Sequence, residues 1–142
     1  MPIVHHAVDV AATPESCWRV FADLTSWPRW FPFLRSVSGE LELGARMTLQ
    51  MGAGPAQLPI HVTVEELVAH ERVRWIGGKL GVRGNHSFVF STHAPGLTRV
   101  TSREEFSGLG ARLIAGRLLA RLDDEVHQSL SRFKTLVEAN PS

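Results

Sequence analysis

The sequence predicts an α+β fold: an antiparallel sheet of about seven strands wrapped around one long C-terminal helix, with two short helices after the first strand. Three observations carry that expectation. Leu113, Ile114, Leu118, Leu119, Leu122, Val126, Leu130, Phe133, Leu136 and Val137 recur at spacings of three and four, the stripe of an amphipathic helix over residues 109–139. Residues 34–106 instead break into short alternating runs separated by glycine, proline and turn residues, as a meander does. Residues 3–10 alternate too, and a Thr13-Pro14-Glu15 helix start separates them from the meander.

In the first strand, Val4, His6, Val8 and Val10 share one face and Ile3, His5, Ala7 and Asp9 the other, so His6 sits among apolar neighbours. Thr13 then caps a helix whose buried side is Cys17, Val20, Phe21 and Leu24. The run Trp27-Pro28-Arg29-Trp30-Phe31-Pro32-Phe33 reads as a second short helix ending near Pro32. Six strands follow at 35–40, 45–51, 59–68, 72–76, 85–92 and 98–106. The expected breaks are Gly44, the 52–55 loop, Ala69-His70-Glu71, Gly77-Gly78 and Pro95-Gly96. Met47, Leu49 and Met51, then Ile60, Val62 and Val64, then Val73 with Trp75, Phe88 with Phe90, and Val100 with Phe106 keep one sheet face apolar. Gly108 and Gly110 mark the entry to the long helix and Asn140-Pro141 its exit.

At 142 residues the chain is expected to be one domain, 1–142, able to bury a core of its own. A formal net charge of +1 gives no bulk reason to expect nucleic acid as a partner. The single cysteine, Cys17, forms no internal disulfide, the first residues lack a signal-peptide pattern, and no apolar run is long enough to cross a membrane. A cytoplasmic protein without integral membrane association is therefore expected, and a homodimer is left open. Cys17 shares a helix face with Phe21 and reads as a core thiol. No Gly-rich phosphate loop, Cys pair or Ser elbow is present, and no cofactor is expected.

The segments Asp9-Val10-Ala11-Ala12-Thr13-Pro14-Glu15, Trp18, Phe21-Ala22-Asp23-Leu24 and Trp27-Pro28-Arg29-Trp30 resemble the opening of the START-like (SRPBCC) helix-grip superfamily, especially its polyketide cyclase and dehydrase-like members. Leu41-Glu42-Leu43-Gly44-Ala45, Val73-Arg74-Trp75, Thr98-Arg99-Val100-Thr101 and Glu105-Phe106-Ser107-Gly108 are similar to its later landmarks. The resemblance covers nearly the whole chain. It implies a deep cavity between the curved sheet and the long helix, entered near the short helices and loops. Small residues compatible with such a space are Ser102 on the inward face and Gly110 and Gly116 near its mouth. The ligand is expected to be small and hydrophobic or aromatic, lined by Trp30, Phe31, Met47, Leu49, Met51, Trp75, Phe88, Phe90, Ser102, Phe106, Leu113 and Leu119.

Strand parity gives the polar candidates. Inward residues of adjacent strands pair with one another, and a three-residue turn at Ala94-Pro95-Gly96 sets His86 opposite Glu104, Phe88 opposite Ser102 and Phe90 opposite Val100. The strand order implied by the resemblance places the first strand beside the last, so His6 is expected on the other side of Glu104. An inward His6, Glu104 and His86 cluster could be a satisfied polar group, an anchor for a polar ligand atom, or a proton-transfer site for cyclisation or dehydration. No element carries metal-ligand spacing, so no metal is expected. His61, His70, His93 and His127 read as outward or turn residues. Arg112, Arg117 and Arg121, with no acid between Leu109 and Leu122, read either as a solvated face or as a site for an anionic headgroup, acidic partner or membrane surface.

These expectations order the functions. Binding of a small apolar or aromatic ligand, lipid or polyketide-like, comes first, and a cyclase or dehydratase second. A protein-interaction module comes third and predicts a filled interior. Within the long helix, the regular stripe from Leu122 to Val137 is expected to anchor the core, and the glycine-loosened 109–119 segment to gate the cavity.

Overall fold

The computed structural model describes residues 1–52, 55–79 and 81–140. The inner part of the 52–55 loop and Pro141 of the helix stop lie outside them. Strand β1 (Ile3–Val10) leads into α1 (Pro14–Ala22), a single 3-10 turn (Leu24–Ser26) and α2 (Trp27–Trp30). Strands β2 (Leu34–Gly39), β3 (Arg46–Met51), β4 (Leu58–Val68), β5 (Arg72–Lys79), β6 (Val82–Ala94) and β7 (Leu97–Ser107) follow, then a 3-10 segment (Leu109–Leu113) and α3 (Gly116–Ala139). All neighbouring strands are antiparallel, in the order β1-β7-β6-β5-β4-β3-β2. The α+β helix-grip architecture is thus present, with α3 lying on the inward face.

Local chemistry accounts for the first half. The Thr13 hydroxyl accepts from the Ser16 amide at 3.2 Å, capping α1 one residue before Pro14 fixes its first turn. Phe21 from α1 packs against Phe88 and Phe90 of β6 at ring separations of 4.9 and 5.2 Å. Trp30 from α2 meets Phe133 of α3 at 5.1 Å. The short helices, the sheet centre and the C-terminal half of α3 therefore share one aromatic core.

Two boundaries differ from expectation. Gly77 and Gly78 are not a turn; they lie inside β5, paired with Gly84 and Arg83 of β6, and the strands turn only after Lys79. The glycines serve close approach there, because a Cβ at Gly77 would overlap the His61 carbonyl and the Val62 side chain of β4. The long helix begins at Gly116, not Leu109. Three glycines in nine residues lower helix propensity by about 1 kcal/mol each. Packing does not offset this, since Leu109 is 94% and Leu113 74% exposed. The Gly110 amide instead donates to Gly81 of the β5–β6 turn at 2.9 Å, and Gly116 starts α3 at φ 55, a left-handed conformation that only glycine adopts freely.

The β6–β7 register pairs His86 with Glu104, Phe88 with Ser102 and Phe90 with Val100. The connection is a two-residue turn plus a bulge at His93, which has the same parity as the three-residue turn predicted.

Candidate functional site

A cavity of about 280 Å³ lies between the sheet and the first half of α3. The apolar residues split around it. One cluster joins Phe21, Trp27, Trp30, Phe88, Phe133 and their neighbours, the other Val4, Phe106 and Val126 with Val82, Ile114, Leu119 and Leu122. Walls come from both: Leu49, Met51, Val62 and Trp75 from the first, Val82, Phe106, Leu122 and Val126 from the second. The sheet side is lined by Gly77 and Gly84, directly paired neighbours. A Cβ at Gly84 would stand 3.2 Å from Glu104 Oε2.

The polar side chains on the cavity wall include His86 from β6, Glu104 from β7 and Glu125 from α3. His86 is 5% exposed. Its Nε2 lies 2.8 Å from Ser102 Oγ, a hydrogen bond whose donor is set by the imidazole tautomer. Burial pushes the His86 pKa down to about 3, so the ring is neutral at physiological pH. Its Nδ1 stands 3.7 Å from Glu104 Oε2, beyond hydrogen-bond length, which leaves the carboxyl free to meet a guest. Burial, and then the charge of Glu125, push Glu104 up to about 7. Burial also pushes Glu125 up to about 7, against the opposing field of Arg121. Two carboxyls poised near neutrality, one from the sheet and one from the helix, can act as hydrogen-bond donor and acceptor, or as acid and base.

Of the residues anticipated from sequence, Phe31, Leu49, Met51, Trp75, His86, Glu104 and Phe106 line the cavity. Several others do not. Trp30, Met47, Phe88 and Phe90 are buried in the aromatic core, where neighbouring rings and strands cover them. Ser102 stands behind His86 as its hydrogen-bond partner. Leu113 points to solvent because α3 starts after it, and Leu119 packs in the second cluster; Ile114 and Leu122 take the lining positions expected of them. His6 is not beside Glu104. The β1–β7 register places Val4 there and His6 beside Ser102, and its Nε2 reaches outward to Asp123 Oδ1 at 2.9 Å. The described residues hold no group of three His, Cys, Asp or Glu side chains arranged for a metal ion. Cys17 is fully buried, and burial pushes its thiol up to about 11, an inert core group.

Glu125 is the cavity carboxyl that sequence reasoning missed. It falls in an Asp123-Asp124-Glu125 run that reads as a solvated face, yet it lies one residue before the lining Val126 and three after the lining Leu122. That spacing is the signal that could have found it.

Similarity to known proteins agrees with this fold. A protein from Thermus thermophilus is 20% identical over 99% of this chain and 100% of its own, with a TM-score of 0.75. A Helicobacter pylori hypothetical protein is 14% identical, covering 95% and 87%, with a TM-score of 0.81. The Zhui aromatase/cyclase of a Streptomyces species is 17% identical, covering 99% and 98%, with a TM-score of 0.78. At these identities the likeness is one of fold. No curated protein matches in sequence. The described residues include no helix long and apolar enough to cross a membrane. The family assignment comes from residues 1–138, which match the polyketide cyclase / dehydrase and lipid transport family model, and the chain belongs to that family.

Proposed function

We propose that this chain binds a compact apolar or aromatic molecule in the sheet–helix cavity, its one polar group meeting His86, Glu104 and Glu125. The observation that carries this reading is the space itself. At about 280 Å³ it is near the lower end of small-molecule sites, roughly 300 Å³, with predominantly apolar walls and a few polar side chains among them. A filled interior would have favoured a surface-acting interaction module. Titration with the neutral fluorophore N-phenyl-1-naphthylamine tests the reading, since Trp75 on the cavity wall can transfer excitation to it. Val126→Trp, which fills the space from α3, should weaken binding by at least roughly tenfold while circular dichroism stays unchanged. Equal affinity in that folded variant would place the dye elsewhere and defeat the proposal.

A second reading, a cyclase or dehydratase, is favoured by one observation: both cavity carboxyls are held near pH 7, where one can donate and the other accept a proton. Dehydration of a β-hydroxy ketone should then slow by about a hundredfold in Glu104→Gln and Glu125→Gln. Unchanged turnover with intact dye binding would leave a carrier rather than an enzyme.

A further inference from the structure

The cavity rim carries a chemistry that ligand binding inside does not use. Leu109 is 94%, Leu113 74%, Leu118 42% and Phe33 42% exposed, although the residues beside them, Ile114, Leu122, Phe31 and Leu34, line the cavity. Phe33 is held outward at φ 62, a conformation uncommon for a bulky residue. The Arg121 guanidinium sits over its ring at 5.5 Å. Arg112 and Arg117 are exposed in the same segment, and Lys79 is exposed where β5 ends at the rim. The Gly110–Gly81 hydrogen bond joins that segment to the turn following Lys79.

Charge is segregated to this end. The net charge of the chain is only +1, yet residues 31–34 and 109–122, which with Lys79 and Val82 supply the rim, contain no Asp or Glu. Exposed leucines interleaved with arginines fit a surface that is apolar below and anionic above. A second copy of the chain would set arginine against arginine, and an acidic peptide would leave the leucines in water.

We propose that the cavity rim is a docking surface for an anionic phospholipid bilayer, with Leu109, Leu113, Leu118 and Phe33 entering the headgroup layer while Lys79, Arg112, Arg117 and Arg121 meet the phosphates. The cavity mouth then faces the membrane, and a guest passes between bilayer and protein without crossing water. Apart from Lys79, none of these side chains lines the cavity, so the surface stands or falls independently of what the cavity binds.

Co-sedimentation with vesicles of phosphatidylcholine alone, and of phosphatidylcholine mixed with phosphatidylglycerol, tests it. Binding should require the anionic lipid, weaken as salt rises, and drop roughly tenfold in both Leu109→Ser/Leu113→Ser and Arg112→Gln/Arg117→Gln. These side chains are exposed, and unchanged circular dichroism shows that the fold is kept. Insertion has its own readout: Leu113→Cys, labelled with an environment-sensitive fluorophore while Cys17 stays buried, should shift to the blue on anionic vesicles alone. Equal binding to neutral vesicles would overturn the proposal. So would binding that ignores the leucines, or an unshifted fluorophore combined with equally tight, arginine-dependent binding to polyglutamate, which would assign the rim to an acidic protein. Vesicle binding with no uptake of N-phenyl-1-naphthylamine would defeat the cavity reading and leave the docking surface standing.

Discussion

Glu104 and His86 are shifted in opposite directions by the same cause. Each is kept in its neutral form by burial, which raises the acid and lowers the base. The stability consequences are therefore opposed. For Glu104, raised from 4.5 to about 7, the native state keeps a proton over that interval that the unfolded chain has released, so stability is lost as pH rises through it. For His86, lowered from 6.5 to about 3, the unfolded chain takes up a proton that the native state refuses, so stability is lost as pH falls below 6.5. Glu104→Gln removes the first liability alone. Urea unfolding should show this variant about 3 kcal/mol more stable than wild type at pH 8, the gain shrinking toward zero as pH falls below 4.5. A Glu104→Gln protein less stable than wild type at pH 8 would mean instead that the carboxylate is held ionised against a protonated His86.

At the scale of elements, the paired glycines of β5 and β6 line the sheet side of the cavity. Gly77→Ala must displace the β4 backbone at His61 or the side chain of Val62, an overpacking expected to cost about 1–3 kcal/mol. Val89→Ala, on the exposed face of β6, should stay within about 0.5 kcal/mol. Thermal unfolding of the two variants would separate them, and a Gly77→Ala protein as stable as Val89→Ala would show that the strands do not need that approach. The same glycines mark the limit of reading from sequence. The β6–β7 register was legible because parity decides which faces meet and the turn at Ala94-Pro95-Gly96 decides which residues do, and so His86 and Glu104 could be paired without coordinates. Gly77-Gly78 reads as a turn because glycine signals both chain reversal and close contact, and only the neighbouring strand distinguishes them. Alternation tells which face Met47 and Phe88 occupy, yet it cannot tell lining from core along that face, because this depends on where α1, α2 and α3 cover the sheet. The start of α3 was hidden for a related reason: the apolar stripe runs through Leu113, but Leu113 has nothing to pack on.

For the molecule as a whole, the cavity divides the core, and it divides α3 with it. Leu130, Phe133 and Val137 are almost fully buried in the large aromatic cluster. At the end of that half, the Lys134 ammonium donates to the Asp9 carbonyl at 2.7 Å, and the Glu138 carboxylate accepts from the Ala11 amide at 2.8 Å, tying it to β1. Leu119, Leu122 and Val126 belong to the smaller cluster across the cavity, preceded by the exposed 3-10 segment and a helix start with no side-chain cap. Opening the first half therefore uncovers less apolar surface and breaks fewer tethers than opening the second. Native-state hydrogen exchange should show amides of residues 119–126 opening at a free energy below the global value, whereas those of 130–138 exchange only by global unfolding. Saturating N-phenyl-1-naphthylamine should narrow that gap, because a guest bridging the two clusters joins them into one cooperative unit. Equal protection along α3 in the free protein would show that its two halves open together, and that access to the cavity is controlled by some other element than the start of this helix.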